Sequence, residues 1–261
     1  MTLNELLRTA AHPLWKGLSY ERTAYRNVEE FIEIVGNLDI TEVKTVTLDA
    51  WYKAQNAKGL TGSTINRKLV NIHQVLKYAL DRDWIEKLPV LQWNPESEGR
   101  IRWLESHEEQ QMFSLLEQWG EAEVSKFIRV LIETGMRRGE LLNLRPENIQ
   151  GRWIRIWKNK TKTPRSVPLT EKAVEALEGF SGWSIDINDL RRVWDRLRDA
   201  MGLREDPEFV LHTLRHTTAT RLLKKTKDIT KVQKLLGHKK LQTTMRYAHI
   251  SDEDLFNAVC N

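Results

Sequence analysis

The chain is short of cysteine, of long apolar runs and of any strong excess of one charge. Its single cysteine, Cys260, has no partner within the chain, which excludes an internal disulfide and a zinc site built from several cysteines. No stretch approaches the roughly 20 consecutive apolar residues of a membrane span. The first residues, MTLNELLRTAAHPLW, hold no uninterrupted apolar core of the kind that directs secretion. A soluble, unsecreted protein of a reducing, cytoplasmic compartment is expected, with no membrane partner. The 41 basic and 36 acidic residues leave a net charge of only +5 over 261 residues, and the pI is near 9.2. That balance invites a nucleic-acid partner without establishing one. With 40% hydrophobic and 30% charged residues the composition is that of a folded chain, and the length suits one large or two modest domains. Ten tryptophans are expected mostly as core and half-buried fillers.

The first 90 residues read as helices. From Glu21, apolar residues recur at Ala24, Val28, Phe31, Ile32 and Val35, one helical face, and Gly36 supplies a stop. Thr47 is placed to cap a short second helix. Ser63 or Thr64 is placed to cap a third, whose stripe is Ile65, Leu69, Ile72, Leu76 and Ala79 and whose outer faces carry Arg67, Lys68 and Lys77. Between Leu88 and Arg102 the periodicity lapses in LPVLQWNPESEGR, which reads as a linker. The expected organisation is a helical bundle over 1–90, a linker over 91–102 and a second domain over 103–261. Ser106 to Glu109 forms a capping-box pattern that opens this domain. Within it, 152–158 alternates as a strand and 164–169 can return as its partner, with a basic hairpin tip at 159–163. Helices are expected around 171–178, 187–201, 213–225, 229–236 and 241–248. The fold class is therefore mainly α, two mostly helical lobes, the second with a small β-hairpin.

Several residues in the second lobe have chemical potential. Arg137, in TGMRRGEL, follows a glycine turn at a helix start, where a guanidinium beside free N–H groups suits an anion such as phosphate; Glu140 shares its face and can steady it. In HTLRH, His212 and Arg215 share a helical face, offering a proton acceptor or donor beside a bidentate anion clamp. Gly237 ends a helix next to His238, and Tyr247 follows in TTMRYAH. A phenol is mostly protonated at neutral pH and needs cationic and donor groups around it to act as a nucleophile. Lys158, Lys160 and Lys162 compete as the basic group of the hairpin tip. Each of these residues alone also has an ordinary structural reading.

Their order is more telling. Arg137, a hairpin lysine near 160, His212, Arg215, His238 and Tyr247 follow one another at intervals of 23, 52, 3, 23 and 9 residues. With the strings TGMRRGEL, KTKTPRSVPL, HTLRH, LGH and TTMRYAH, this resembles the active-site set of the tyrosine recombinases, the phage integrase family, over roughly residues 98–250. The helical N-terminal part is similar to that family's core-binding domain in organisation.

The resemblance implies a metal-free, ATP-free enzyme that cuts and rejoins DNA. Tyr247 would attack the scissile phosphate and form a 3′-phosphotyrosine, freeing a 5′-hydroxyl. Arg137 and Arg215 would clamp the non-bridging oxygens, and Glu140 would support Arg137. Lys160, eight residues before Pro168, best matches the general acid, with Lys158 and Lys162 as alternatives and DNA contacts. His212 would exchange a proton with the phenol, and His238 would donate to the phosphate. Arg67, Lys68 and Lys77 would touch DNA from the first lobe. The implied partners are double-stranded attachment or recombination sites, a homotetramer built in part through the C-terminal tail, and an accessory protein that sets direction or bends DNA. Phage or mobile-element integration is the first reading. A Xer-like dimer resolvase, a type IB topoisomerase and a non-catalytic DNA-binding protein on the same fold are the alternatives. Only about 20 residues precede the first expected helix, too few for the arm-binding domain of larger phage integrases; Met1–Ser19 would extend the clamp or a protomer interface.

Overall fold

The computed structural model describes residues 1–95, 101–157 and 164–248, and the chain divides into two units, Met1–Glu98 and Gly99–Asn261. The first unit is a bundle of α1 (Leu3–Trp15), α2 (Glu21–Val35), α3 (Thr45–Ala57) and α4 (Gly62–Leu80). Helix α1 lies ahead of the stripe that begins at Glu21 and adds a helix to the expected bundle. It is opened by a reciprocal cap in which the Thr2 hydroxyl accepts from the Glu5 N–H and the Glu5 carboxylate accepts from the Thr2 N–H. It buries Leu3, Leu6, Leu7, Ala10 and Trp15 in the same core as Val28, Phe31, Trp51 and Leu69. Residues 1–15 are thus part of the bundle's core. The α2 face follows the expected stripe as far as Ile32, and Gly36 ends it at a φ of 88°.

Helix starts differ from expectation where a neighbouring residue makes the better cap. Helix α4 is capped by Thr61, whose hydroxyl accepts from the Thr64 N–H, rather than by Ser63 or Thr64. Helix α3 begins two residues before Thr47, whose hydroxyl instead accepts the N–H of Lys44 at 3.2 Å. The start of the expected linker belongs to the bundle: the Asn94 N–H donates to Asn66 Oδ1, the Asn66 amide donates back to the Asn94 carbonyl, and the Gln92 N–H donates to the Tyr52 hydroxyl, each at 2.9 Å. Lys68, expected on the outer face, turns inward. Its amine pairs with Glu30 and donates to Gln55, so this charge is committed to the bundle. Arg67 is exposed, and Lys77 is exposed and paired with Asp81.

The second unit runs α5 (Ser106–Gln118), α6 (Ala122–Thr134), α7 (Arg138–Leu142), β1 (Ile149–Gln150), β2 (Trp153–Ile156), β3 (Arg165–Pro168), α8 (Glu171–Ala176), α9 (Ile187–Ala200), α10 (His212–Thr226), α11 (Ile229–Leu236) and α12 (Gln242–Met245). The residue before α5 is Glu105, whose N–H is taken by the Glu108 carboxylate at 2.9 Å, so Ser106 is the first helical residue rather than the cap. The sheet is antiparallel in the order β1-β2-β3, with Ile154 opposite both Ile149 and Val167. Strand β1 has only two residues and leaves no periodic signal. Gly151, at a φ of 57°, makes the tight turn from β1 to β2. Ile154, Ile156 and Val167 face the core while Trp153 and Trp157 stay exposed, so not every tryptophan is a filler. Helices α6 and α10 pack against each other, and α10 also carries α11. A separate small cluster joins Ala219, Val232, Leu236 and Tyr247 with Ile101.

Candidate active site

Two glycine turns and one buried arginine organise the site. Helix α6 ends at Gly135 in the left-handed region, at a φ of 62°, where an added Cβ would stand 3.2 Å from Thr218 and Leu236. Helix α11 ends the same way at Gly237, where a Cβ would come within 2.8 Å of Arg165 Cδ. Both turns leave helix-end carbonyls that need donors. Arg215, from the first turn of α10 and only 2% exposed, supplies them. Its Nη1 donates to the Gly135 carbonyl and its Nη2 to the Leu236 carbonyl, each at 2.6 Å. Nη2 also donates to His238 Nε2 at 3.2 Å. Burial, with the charges of Arg137 and Arg165, lowers the Arg215 pKa to about 9, so it stays cationic at neutral pH.

Because an arginine only donates, His238 Nε2 accepts, its proton sits on Nδ1, and Nδ1 donates to the buried Thr244 hydroxyl at 2.9 Å. Burial and then the Arg215 and Arg137 charges push the His238 pKa down to about 4, which keeps this neutral tautomer. In this arrangement both ring nitrogens of His238, which the resemblance casts as a donor to the phosphate, are engaged within the protein.

Arg137 stands just before α7. Its N–H donates to Glu140 Oε2 and its Nη1 to Glu140 Oε1, both at 2.9 Å. Arg165, on β3, grips the same carboxylate with Nη1 on Oε1 at 2.9 Å and Nη2 on Oε2 at 2.7 Å. Burial by itself would raise the Glu140 carboxyl, but the Arg165 and Arg137 bonds and charges overcome it and hold the pKa at about 2. The contribution of this carboxylate to stability is therefore complete above its ordinary range and is lost as pH falls towards 2. The Arg165 and Glu140 side chains are 8% and 9% exposed. Replacing Arg165 with Ala leaves a buried carboxylate short of half its donors, and we expect a loss of about 3–5 kcal/mol of stability in chemical denaturation of the full chain. Unchanged denaturation would mean that the triad is not the brace described.

Tyr247 follows α12, 7% exposed, with its ring in the cluster of Ala219, Val232 and Leu236. Its hydroxyl lies 2.6 Å from Nδ1 of His216. Burial raises the phenol pKa, against the opposing pull of Arg215 and Arg246. His212, one turn earlier on α10, is exposed and meets the His216 ring edge-on, with 4.7 Å between centroids. The ring bonded to the phenol is thus that of His216, where the family pattern led to His212.

Hydrogen bonds join Arg137 to Glu140 and Arg215 to His238, while Tyr247 bonds to His216. Lys158, Lys160 and Lys162 lie outside the described residues. Arg67, Lys68 and Lys77 belong to the other unit. Sequence reasoning missed Arg165 and His216. The second had a signal, since it sits one helical turn beyond His212 inside HTLRH; the first had only its place in a short strand.

Residues 102–254, more than half of the chain, match the model of the phage integrase family. The tyrosine recombinase XerC of Corynebacterium efficiens is 34% identical over 154 residues, covering 51% of this chain and 48% of that protein. The chain spans about half the length of the first curated relatives it matches. The integrase of Escherichia phage P2 is 25% identical over 242 residues, 89% of this chain and 68% of that one. Among solved structures, the Tn1549 transposon integrase in complex with circular intermediate DNA shares the fold. Its TM-score is 0.80 at 19% identity, covering 99% of both chains.

Proposed function

From the membership of this chain in the phage integrase family, we propose that it is a site-specific tyrosine recombinase that cuts and rejoins duplex DNA through a 3′-phosphotyrosine at Tyr247. The observation that carries this reading is a buried phenol hydrogen-bonded to a neutral imidazole in the unit that also holds the Arg215 and Arg137 guanidinium groups. A phosphodiester entering between these cations is neutralised as charge builds on its non-bridging oxygens. Arg215 meets it already fixed by two backbone carbonyls, so little reorganisation is needed at the moment of reaction. Glu140 and Arg165 hold Arg137 in place. Lys160 is assigned as the acid that protonates the departing 5′-oxygen. Because one phosphodiester is exchanged for another through the tyrosine, the bond energy is conserved and the rejoining step needs no nucleotide.

Integration of a phage or mobile element is the first reading, supported by the P2 integrase match along 89% of the chain. Dimer resolution is the second, supported by the XerC relative. Either places the protein inside a bacterial or phage-infected cell, on attachment or recombination sites, with an accessory protein free to set direction. Arg67 and Lys77 of the first unit are assigned to DNA phosphates.

The active species is assigned as a homotetramer. In the second unit a cavity of about 550 Å³ is lined by Leu169, Leu222 and Leu235 together with Lys225, Lys231, Lys234 and Glu133. The C-terminal sequence combines Asp252, Glu253 and Asp254 with Leu255 and Phe256, the matching chemistry for a tail from a second copy. Lys231→Glu with Lys234→Glu is expected to reduce synapsis on DNA by about tenfold or more while single-site binding persists. Undiminished synapsis in that variant would remove this cavity from the assembly.

A further inference from the structure

We propose that His216 is the catalytic base of the reaction assigned above, the group that receives the phenolic proton of Tyr247 as the tyrosine attacks phosphorus. The inference rests on that reading and departs from the family pattern, which points to His212. Its basis is positional. Nδ1 of His216 is 2.6 Å from the Tyr247 hydroxyl, within the range from which a base takes a proton directly. His212 touches His216 edge-on, and among the described residues it makes no hydrogen bond to the phenol. On one helix, the two rings lie a turn apart: His216 is half-buried against the nucleophile, while His212 is exposed beside Arg215. The inner ring therefore serves the tyrosine.

The electrostatic setting keeps the ring in the neutral form that can accept a proton. Nδ1 can take the phenolic proton only when the ring is neutral and its own proton sits on Nε2. Burial, followed by the neighbouring His212, Arg246, Arg215 and His238, holds His216 neutral down to a pKa of about 3. Such a weak base does not ionise a free phenol, so Tyr247 keeps its proton until attack is under way. A bound phosphodiester brings negative charge into the field of Arg215 and Arg246 and strengthens the base at the moment it is used.

The step balances. As the Oη–P bond forms, the phenolic proton passes to His216 Nδ1. The P–O5′ bond breaks with its electron pair on O5′, which takes a proton from the hairpin lysine assigned above. On rejoining, the incoming 5′-hydroxyl returns its proton to that lysine, the Oη–P bond breaks, and the departing phenolate recovers its proton from His216.

His216→Asn tests this, because the Asn oxygen reaches the Nδ1 position and can accept the hydrogen bond but cannot carry the proton away. Single-turnover cleavage of a nicked duplex bearing the cleavage site would be compared for wild type, His216→Asn, His212→Asn and Tyr247→Phe. His216→Asn is expected to slow cleavage by about 10²–10³ with DNA affinity unchanged. The same loss is expected on a substrate with sulfur in place of the bridging 5′-oxygen, which relieves only the need to protonate the leaving group. A His216→Asn rate within about threefold of wild type overturns the assignment, as does a defect that disappears with the sulfur substrate. Nitrogen chemical shifts of the imidazole give a reading without DNA. An unprotonated Nδ1 whose shift changes in Tyr247→Phe is expected, and a protonated Nδ1 overturns the proposal. Cleavage by Tyr247→Phe would instead overturn the choice of nucleophile, so the two failures are distinct.

Discussion

Tyr247→Phe is expected to lose covalent attachment to DNA by a factor on the order of 10⁴ or more while the protein still folds and still binds its site. The substitution removes one oxygen and leaves the ring, whose packing against Ala219, Val232 and Leu236 supplies most of what this side chain contributes to the fold. The cost to stability is one hydrogen bond, that to His216, or about 1 kcal/mol. Binding persists because Arg137 and Arg215 remain. Single-turnover cleavage, filter binding and thermal melting of the same preparation separate the three quantities. A Phe variant that melts far below wild type would show that the hydroxyl is structural as well as chemical.

Arg215→Ala is expected to damage both chemistry and fold. Its loss removes a preorganised cation, which costs about 10²–10³ in rate. It also strips donors from the carbonyls of Gly135 and Leu236 at the ends of α6 and α11. With charged hydrogen bonds of this kind at roughly 1.5–3 kcal/mol each, about 3 kcal/mol or more of stability goes with them. Arg215→Lys separates the two effects: an ammonium keeps the charge but lacks the planar fork that reaches both carbonyls, so stability recovers less than binding does. Urea denaturation, with cleavage rates taken below each variant's unfolding range, measures both. A stable but inactive Arg215→Ala would show that the bonds to the Gly135 and Leu236 carbonyls do not hold the fold.

The candidate site was legible in the sequence as an order of residues and illegible as a geometry. Arg137, His212, Arg215, His238 and Tyr247 were found because five short strings fall in sequence together. Nothing in those strings says that Arg215 holds two helix ends or that His216 rather than His212 meets the phenol. Both follow from the packing of α10 against α6 and α11, contacts far apart along the chain. Arg165 was invisible for the same reason, because its carboxylate partner lies 25 residues away.

In the fold, the α2 stripe was plain because apolar spacing alone determines which face is buried. Helix α1 was within reach: Thr2 and Glu5 form a capping box, and Leu3, Leu6, Leu7 and Ala10 keep helical spacing. Lys68 was misplaced on the outer face because lysine is usually solvated, whereas here Glu30 and Gln55 receive its amine inside the bundle.

A covalent bond between Tyr247 and DNA can be trapped and located directly. Nicked duplexes tiled across the DNA that flanks the gene would be incubated with the full chain without metal or nucleotide, denatured and resolved. The shifted species would then be digested with trypsin. Cleavage after Arg246 releases a C-terminal peptide that begins at Tyr247. This peptide is expected to carry the nucleotide through a 3′-phosphate, and Tyr247→Phe is expected to yield no shifted species. An adduct on any other residue, or an adduct that survives Tyr247→Phe, would contradict Tyr247 as the nucleophile.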